Sequence, residues 1–165
     1  VVMLRHGLPD ALRDGRAGYI ETVTALSESF GPPRLAIDLA ARSARCGERP
    51  VPLSPALLAW FALWAETAQS SAPMRHWLDM DAKNYLRLYE CVVGRDAEAL
   101  ERAQRRLRNG MEKDFFEEYN SKLERELKNA LGVAASPYLL QRKGRRPHTQ
   151  RGLSLSPESI SLRCS

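Results

Sequence analysis

Residues 56–69 constrain the fold more than any other stretch of the chain. Large apolar side chains are spread around most of the circumference of the helix that these residues would form, so that helix has to be buried on nearly all sides. They are Leu57, Leu58, Trp60, Phe61, Leu63 and Trp64. Ser54 and Pro55 suit the N-cap and the first helical position. The sequence therefore predicts a central helix in which Leu57, Phe61 and Trp64 share a buried face.

The composition is that of a globular domain. The chain has 165 residues, of which 44% are hydrophobic and 27% are charged, and such a chain buries enough apolar surface to fold. No apolar run reaches the roughly 18 residues of a membrane-spanning helix, and the start of the chain does not have the pattern of a secretory signal. Cys46, Cys91 and Cys164 are widely spaced and odd in number. We therefore expect no disulfide framework, no contact with a membrane and a cytoplasmic location.

The chain is expected to begin with the end of another domain. Residues 1–4 are apolar and β-prone, which predicts the last strand of something upstream, and residues 7–15 have the composition of a linker. A first helix is predicted over residues 17–30 because its apolar residues recur at helical spacing. The expected organisation is therefore an upstream end with its linker over residues 1–15 and a C-terminal domain over residues 16–165.

Short strands are predicted before the central helix. Leu35, Ile37 and Leu39 alternate with smaller or polar residues, as in a half-buried strand. Residues 44–46 are placed to pair back against them, and residues 51–53 to add a third short strand. This stretch therefore predicts a β-hairpin with two or three antiparallel strands.

Helical spacing returns after residue 80 and ends in a second hairpin. Helices are predicted over residues 82–93 with Asp79 or Asp81 as the cap, over residues 97–108 with Asp96 as the cap, and over residues 113–131. Strands over residues 138–142 and 152–155 follow, joined by a turn over residues 143–150. A helix followed directly by a two-stranded hairpin is typical of a winged helix. The predicted fold class is α+β, mainly α: a winged-helix-like domain with an N-terminal β-hairpin, inserted helices and a C-terminal β-hairpin wing.

The predicted wing carries the strongest local charge of the chain. It contains Arg142, Lys143, Arg145, Arg146, His148 and Arg151, and no carboxylate. Such a hairpin is suited to lie along a phosphate backbone. Two other interpretations stay open, a solvated hairpin and a surface that docks on an acidic neighbouring domain. Carboxylates on the predicted recognition helix argue against nucleic acid, because they repel phosphates; they are Glu112, Asp114, Glu117, Glu118, Glu124 and Glu126.

No residue of the chain is predicted to be catalytic or to bind a metal or a cofactor. His6, His76 and His148 have no partner at ligand spacing. Ser54 and Ser156 precede proline and suit a cap and a turn better than a nucleophile. The glycine motifs that cradle phosphates are also missing from the sequence.

Trp60, Trp64 and Trp77 have two interpretations. Aromatic side chains can form a platform on which nucleic-acid bases stack. Two of the three lie on the most apolar helix, however, so core packing is the favoured interpretation.

Several short motifs resemble the CRISPR-associated ring nucleases of type III systems. They are Arg5-His6-Gly7-Leu8-Pro9, Gly31-Pro32-Pro33-Arg34-Leu35, Pro52-Leu53-Ser54-Pro55-Ala56-Leu57-Leu58-Ala59, Gly110-Met111-Glu112-Lys113, Gly144-Arg145-Arg146-Pro147 and Gly152-Leu153. Proteins of this family have an N-terminal CARF (CRISPR-associated Rossmann fold) domain and a C-terminal winged-helix-like region. The resemblance implies a parent protein that binds and cleaves cyclic oligoadenylate during antiviral defence, with that activity in the CARF domain.

Three functions follow as hypotheses. The first is a non-catalytic C-terminal domain of such a protein, whose partners are the upstream CARF domain, a second copy of the chain, or nucleic acid at the wing. The second is a free-standing winged-helix regulator that binds DNA. The third is an effector ribonuclease, for which His148 beside Arg145 and Arg146 is the one plausible starting point.

Overall fold

The computed structural model describes residues 32–164. Within them lie four α-helices, a four-stranded sheet and a separate two-stranded hairpin. The helices are α1 (Pro55–Ala68), α2 (Ala82–Val93), α3 (Glu98–Arg106) and α4 (Lys113–Leu131). The strands are β1 (Leu35–Asp38), β2 (Ser43–Cys46), β3 (Arg49–Pro50), β4 (Gln141–Lys143), β5 (Gln150–Gly152) and β6 (Ile160–Arg163). This architecture confirms the α+β class, while the winged-helix assignment stays a prediction.

Helix α1 is the centre of the core, as predicted. The Oγ atom of Ser54 accepts a hydrogen bond of 3.3 Å from the backbone N–H of Leu57, which caps the helix at the expected residue. Leu57 is 7% exposed, and Phe61 and Trp64 are completely buried. The surrounding helices and the sheet therefore pack against α1 on nearly every side, because its apolar residues leave no polar face for water.

The four-stranded sheet contains the predicted hairpin and one strand that was not predicted. β1 pairs antiparallel with β2, as the alternation of apolar residues indicated, and β2 pairs with the short β3. The prediction of a third strand over residues 51–53 is wrong, because β3 lies at Arg49–Pro50. β6 then pairs parallel with β1, so the strand order is β3-β2-β1-β6. The four residues of β6 lie far along the chain from β1. A pairing over that distance leaves no periodic signal in so short a segment.

The later helices follow the predictions closely. Helices α2 and α4 have the predicted bounds, and the carboxylate of Asp81 caps α2 by accepting a hydrogen bond of 2.9 Å from the N–H of Lys83. The prediction that Asp96 caps α3 is wrong. Helix α3 has Ala97 at its N-cap position, without a side-chain hydrogen bond.

The C-terminal hairpin is present but shorter than predicted. Its strands are β4 and β5, and a short 3-10 helix, Gly132–Tyr138, occupies the start of the predicted first strand. Tyr138 is 5% exposed, and its hydroxyl accepts a hydrogen bond of 3.1 Å from the N–H of Arg34. This buried contact holds Tyr138 against the N-terminal hairpin instead of in a ladder. We call residues 141–152 the basic hairpin.

The prediction of no disulfide is wrong. Cys91 near the end of α2 and Cys164 just after β6 are joined by a disulfide bond, with their Cα atoms 5.6 Å apart. The pairing was hidden from the sequence because 73 residues separate the two cysteines and only the unpredicted strand β6 brings them together. Cys46 stays a buried free thiol.

Some predictions lie outside the described residues. These are the strand over residues 1–4, the linker over residues 7–15, the helix over residues 17–30 and the domain boundary after residue 15. The elements named above all lie within the compact unit Pro33–Ser165.

One buried asparagine joins α1 to α4. Asn120 is 2% exposed, and its Oδ1 atom accepts hydrogen bonds from the indole N–H of Trp60 at 2.9 Å and of Trp64 at 3.0 Å. Because both indoles are pure donors, the amide oxygen has to face them. The Nδ2 atom of Asn120 then has no hydrogen-bond partner in the described structure. The polar side chain of Asn120 therefore serves in the core as the hydrogen-bond acceptor of both tryptophans.

Replacing this asparagine is expected to destabilise the fold. The variant Asn120→Ala leaves two buried indole N–H groups without an acceptor, and each such group costs about 1–3 kcal/mol. The free energy of unfolding should fall by roughly 2–6 kcal/mol, measured by urea denaturation. Asn129→Ala is the matched control, because Asn129 is exposed on the same helix and should change stability by about 0.5 kcal/mol. Equal stability of the two variants would contradict this role for Asn120.

Candidate functional site

The basic hairpin presents most of its cations to solvent. Arg142, Lys143, Arg145, Arg146 and His148 are all exposed. The register of β4 and β5 places Arg142 directly opposite Arg151, so these two side chains lie on the same face of the hairpin. Lys143 lies on the opposite face. The hairpin therefore gathers arginines on one side.

The turn of the hairpin depends on one glycine. Gly144 has a φ of 86°, a backbone conformation that L residues with side chains rarely adopt. The N–H of His148 donates a hydrogen bond of 2.7 Å to the carbonyl of Arg145, and the bond between Arg146 and Pro147 is cis. This compact turn places Arg145 and Arg146 at the tip.

A cleft of about 850 Å³ lies beside the arginine face of the hairpin. We call it the basic cleft; it is lined by His76, Trp77, Lys113, Phe116, Glu117, Arg142, Gly144, Arg145, Arg146, Pro147, Thr149 and Arg151. Of the predicted site residues, the structure brings Arg142, Arg145, Arg146 and Arg151 together here. Lys143 and His148 are not part of the lining.

Five lining residues lie outside the hairpin and were not predicted to belong to a site with it, namely His76, Trp77, Lys113, Phe116 and Glu117. Trp60 and Trp64 are core residues, as the favoured interpretation held, but Trp77 is half-buried and lies at the cleft. The position of Trp77 in the sequence was the signal that could have identified it as a surface residue. Trp77 follows Arg75 and His76 in a loop, outside any apolar helical stripe.

Backbone hydrogen bonds hold segment 73–77 against the hairpin. The N–H of Arg75 donates to the carbonyl of Arg151 at 2.8 Å, and the N–H of Arg151 donates back at 2.9 Å. A Cβ atom at Gly152 would overlap the carbonyl oxygen of Pro73 and lie 2.8 Å from the sulfur of Met74. The close approach of the two backbones is therefore possible because residue 152 is glycine.

His76 fastens the same segment to the tip of the hairpin. Its Nδ1 atom accepts a hydrogen bond of 3.3 Å from the N–H of Leu78, so Nε2 carries the proton. Nε2 then donates to the carbonyl of Pro147 at 2.8 Å. The imidazole thereby bridges the two walls of the basic cleft.

The charge of the cleft is strongly positive. Five cationic side chains line it, with Glu117 as the only carboxylate of its described lining. Glu117 accepts a hydrogen bond of 2.8 Å from Nη2 of Arg151, whose side chain is 13% exposed. Burial lowers the pKa of Arg151, and the charge of Glu117 opposes that change. The remaining cations form no ion pair with any described residue.

Cations on the helices are arranged differently. Arg102 pairs with Glu98 at 3.2 Å, and Glu118 accepts hydrogen bonds from Lys122 at 2.7 Å and from Arg106 at 3.3 Å. The hydrogen bonds from Lys122 and Arg106 hold the pKa of Glu118 below its usual range. Arg102, Arg106 and Lys122 are therefore neutralised by carboxylates, whereas the exposed cations of the basic hairpin form no ion pair with a described residue.

The residues weighed for catalysis do not converge. His148 is exposed and lies outside the cleft lining. Burial raises the pKa of the Cys46 thiol to about 12, which keeps it protonated and unreactive. Within residues 32–164, no group of three or more His, Cys, Asp or Glu residues is placed to hold a metal ion.

Comparison with known proteins gave no family model, no curated protein and no solved structure that matches this chain. The candidate site is therefore assigned from its own geometry and charge. None of the helices in the described part of the chain combines the length and the apolar character needed to cross a bilayer.

The charge balance predicts that one carboxylate weakens anion binding at the cleft. Glu117→Gln removes this carboxylate. The variant should elute from a heparin column at a higher salt concentration than the parent chain, because the cleft can form about one additional ionic contact with the polyanion. Glu98→Gln is the matched control, because it breaks an Arg–Glu pair on α3 and changes the net charge equally. Equal elution of the two variants would mean that the cleft does not contact the polyanion.

Proposed function

We propose that this chain is a non-catalytic domain that binds nucleic acid through the basic hairpin. The observation that carries the proposal is the set of exposed cations without ion pairs, Arg142, Lys143, Arg145 and Arg146, on one short hairpin. Arginine and lysine side chains that neutralise phosphates release condensed counterions, which supplies most of the affinity of such contacts. The aromatic wall of the cleft favours nucleic acid over an acidic protein surface.

The proposal extends to the parent protein. The motifs that resemble the CRISPR-associated ring nucleases suggest a C-terminal domain that follows a CARF domain in type III antiviral defence. That part of the proposal is supported by the motifs alone. Contacts of the hairpin with nucleic acid would then be an accessory activity beside the cyclic-oligoadenylate chemistry of the CARF domain, and a homodimer remains a candidate assembly.

One argument supports a cytoplasmic location, and one feature of the structure argues against it. A domain that binds nucleic acid during CRISPR defence belongs in the cytoplasm. The Cys91–Cys164 disulfide favours an oxidising compartment instead, because cytosolic thiols are usually kept reduced.

The second candidate function is a winged-helix regulator that binds duplex DNA. The observation that favours it is the two-stranded hairpin after the long helix α4. In that mode a recognition helix enters the major groove. The carboxylates of α4 oppose this, since Asp114 and Glu118 are exposed on the helix that would face phosphates.

Removal of two hairpin arginines tests the leading proposal. Arg145→Ala combined with Arg146→Ala should weaken binding of a labelled oligonucleotide at low salt, measured by fluorescence anisotropy. For a single strand, the slope of log affinity against log salt should become less steep by about 1.4, because each lost phosphate contact contributes about 0.7.

The matched control is Arg105→Ala combined with Arg108→Ala, which removes two exposed arginines at the end of α3 and beyond it. We expect this control to bind nearly as the parent chain does. Equal loss in both double variants would mean that net charge, and not the hairpin, determines binding. Tighter binding of a duplex than of a single strand would favour the winged-helix candidate.

The prediction that this chain contains no catalytic residues can be tested separately. Incubation of this chain with cyclic tetra-adenylate should leave the ring intact, as followed by liquid chromatography. Turnover that persists after the chain has been heat-denatured would come from a contaminant. Turnover confined to the folded chain would contradict the assignment as a non-catalytic domain.

A further inference from the structure

The basic cleft has two chemically different walls. The hairpin supplies Arg142, Arg145 and Arg146, and segment 73–77 supplies an aromatic side chain, Trp77. Its volume of about 850 Å³ falls within the range of small-molecule sites, about 300–1,000 Å³. The cleft is therefore large enough for one planar group beside the cations.

Trp77 is placed differently from the other tryptophans. Trp60 and Trp64 are completely buried, and both donate their indole N–H to Asn120. Trp77 is half-buried, and no described residue accepts a hydrogen bond from its indole N–H. Its nearest described ring is that of His76, with centroids 5.8 Å apart and planes tilted by 39°. Part of the indole is thus exposed, and the side chain lines the cleft while it also packs against the core.

The position of Trp77 is fixed by contacts that involve the hairpin itself. Arg75 exchanges two backbone hydrogen bonds with Arg151, and His76 bonds to the carbonyl of Pro147. Trp77 directly follows these anchored residues. An aromatic surface held at a constant place relative to arginines loses little conformational entropy when a ligand binds.

We propose that the basic cleft holds one nucleotide of a single strand, with its base stacked on Trp77 and its flanking phosphates held by Arg142, Arg145 and Arg146. The proposal rests on the proposed function and deepens it by naming the form of nucleic acid. A base in a duplex has both faces covered by its neighbours, so only an unpaired base offers a face to the indole. The pair between Arg151 and Glu117 also lines the cleft.

The test compares three fluorescent probes on the full chain: a short oligothymidylate, an abasic deoxyribose-phosphate strand of equal length, and a duplex of that length. We expect oligothymidylate to bind at least about fivefold more tightly than the abasic strand, because one stacked base contributes about five- to 150-fold. The duplex should bind less tightly than oligothymidylate, because its bases are already stacked on each other. Equal binding of oligothymidylate and the abasic strand would overturn the stacking proposal and leave the proposed function intact.

Variants of Trp77 give an independent arm. Trp77→Leu keeps an apolar side chain against the core but has no π face, so its affinity for oligothymidylate should fall to that of the abasic strand. Trp77→Phe should retain most of the difference. Melting temperatures close to that of the parent chain show that both variants are folded. If Trp77→Leu binds oligothymidylate as the parent chain does, the inference is wrong.

Tryptophan fluorescence reports the contact directly. Trp60 and Trp64 are buried, so quenching by oligothymidylate should come from Trp77 and disappear in Trp77→Phe. Quenching that persists in this variant would overturn the assignment. Failure of every probe to bind would overturn the proposed function and the inference with it, an outcome distinct from equal binding of the two single strands.

Discussion

The hydrogen bonds from Trp60 and Trp64 to Asn120 are the constraint on which the rest of the structure depends. They fix α4 against α1, and the ring of Trp60 also meets Phe115 and Phe116 edge-on, with centroids 5.6 and 6.0 Å away. Phe116 belongs both to this core and to the lining of the basic cleft. The docking of two central helices thereby determines where one lining residue of a surface site lies.

The distribution of charge follows from the same arrangement. Helices α3 and α4 carry acidic and basic residues at a spacing that lets them pair along or between the helices, as Glu118 does with Lys122 and Arg106. The tip of the basic hairpin has no carboxylate within its own sequence, and Arg145 and Arg146 form no ion pair with a described residue. A positive potential therefore comes from local geometry more than from the net charge of +5.

Local signals in the sequence predicted local structure well. Apolar spacing and capping residues were sufficient for α1, α2 and α4, and alternation was sufficient for β1 and β2. Strand β6 and the disulfide were missed because both depend on contacts between distant segments. The candidate site divides in the same way: the cations of the hairpin were found as a run in the sequence, while Trp77, His76 and Lys113 join them only through the packing of segment 73–77 and α4.

Gly152 shows how one backbone position can control the composition of a site. Segment 73–77 approaches β5 so closely that a methyl group at residue 152 would meet the carbonyl of Pro73. Any change at this residue would push the aromatic wall away without altering a single charge or ring of the cleft. In related sequences, a glycine at this position would indicate that the two walls can still meet. Its loss would identify chains in which the arginines act without the tryptophan.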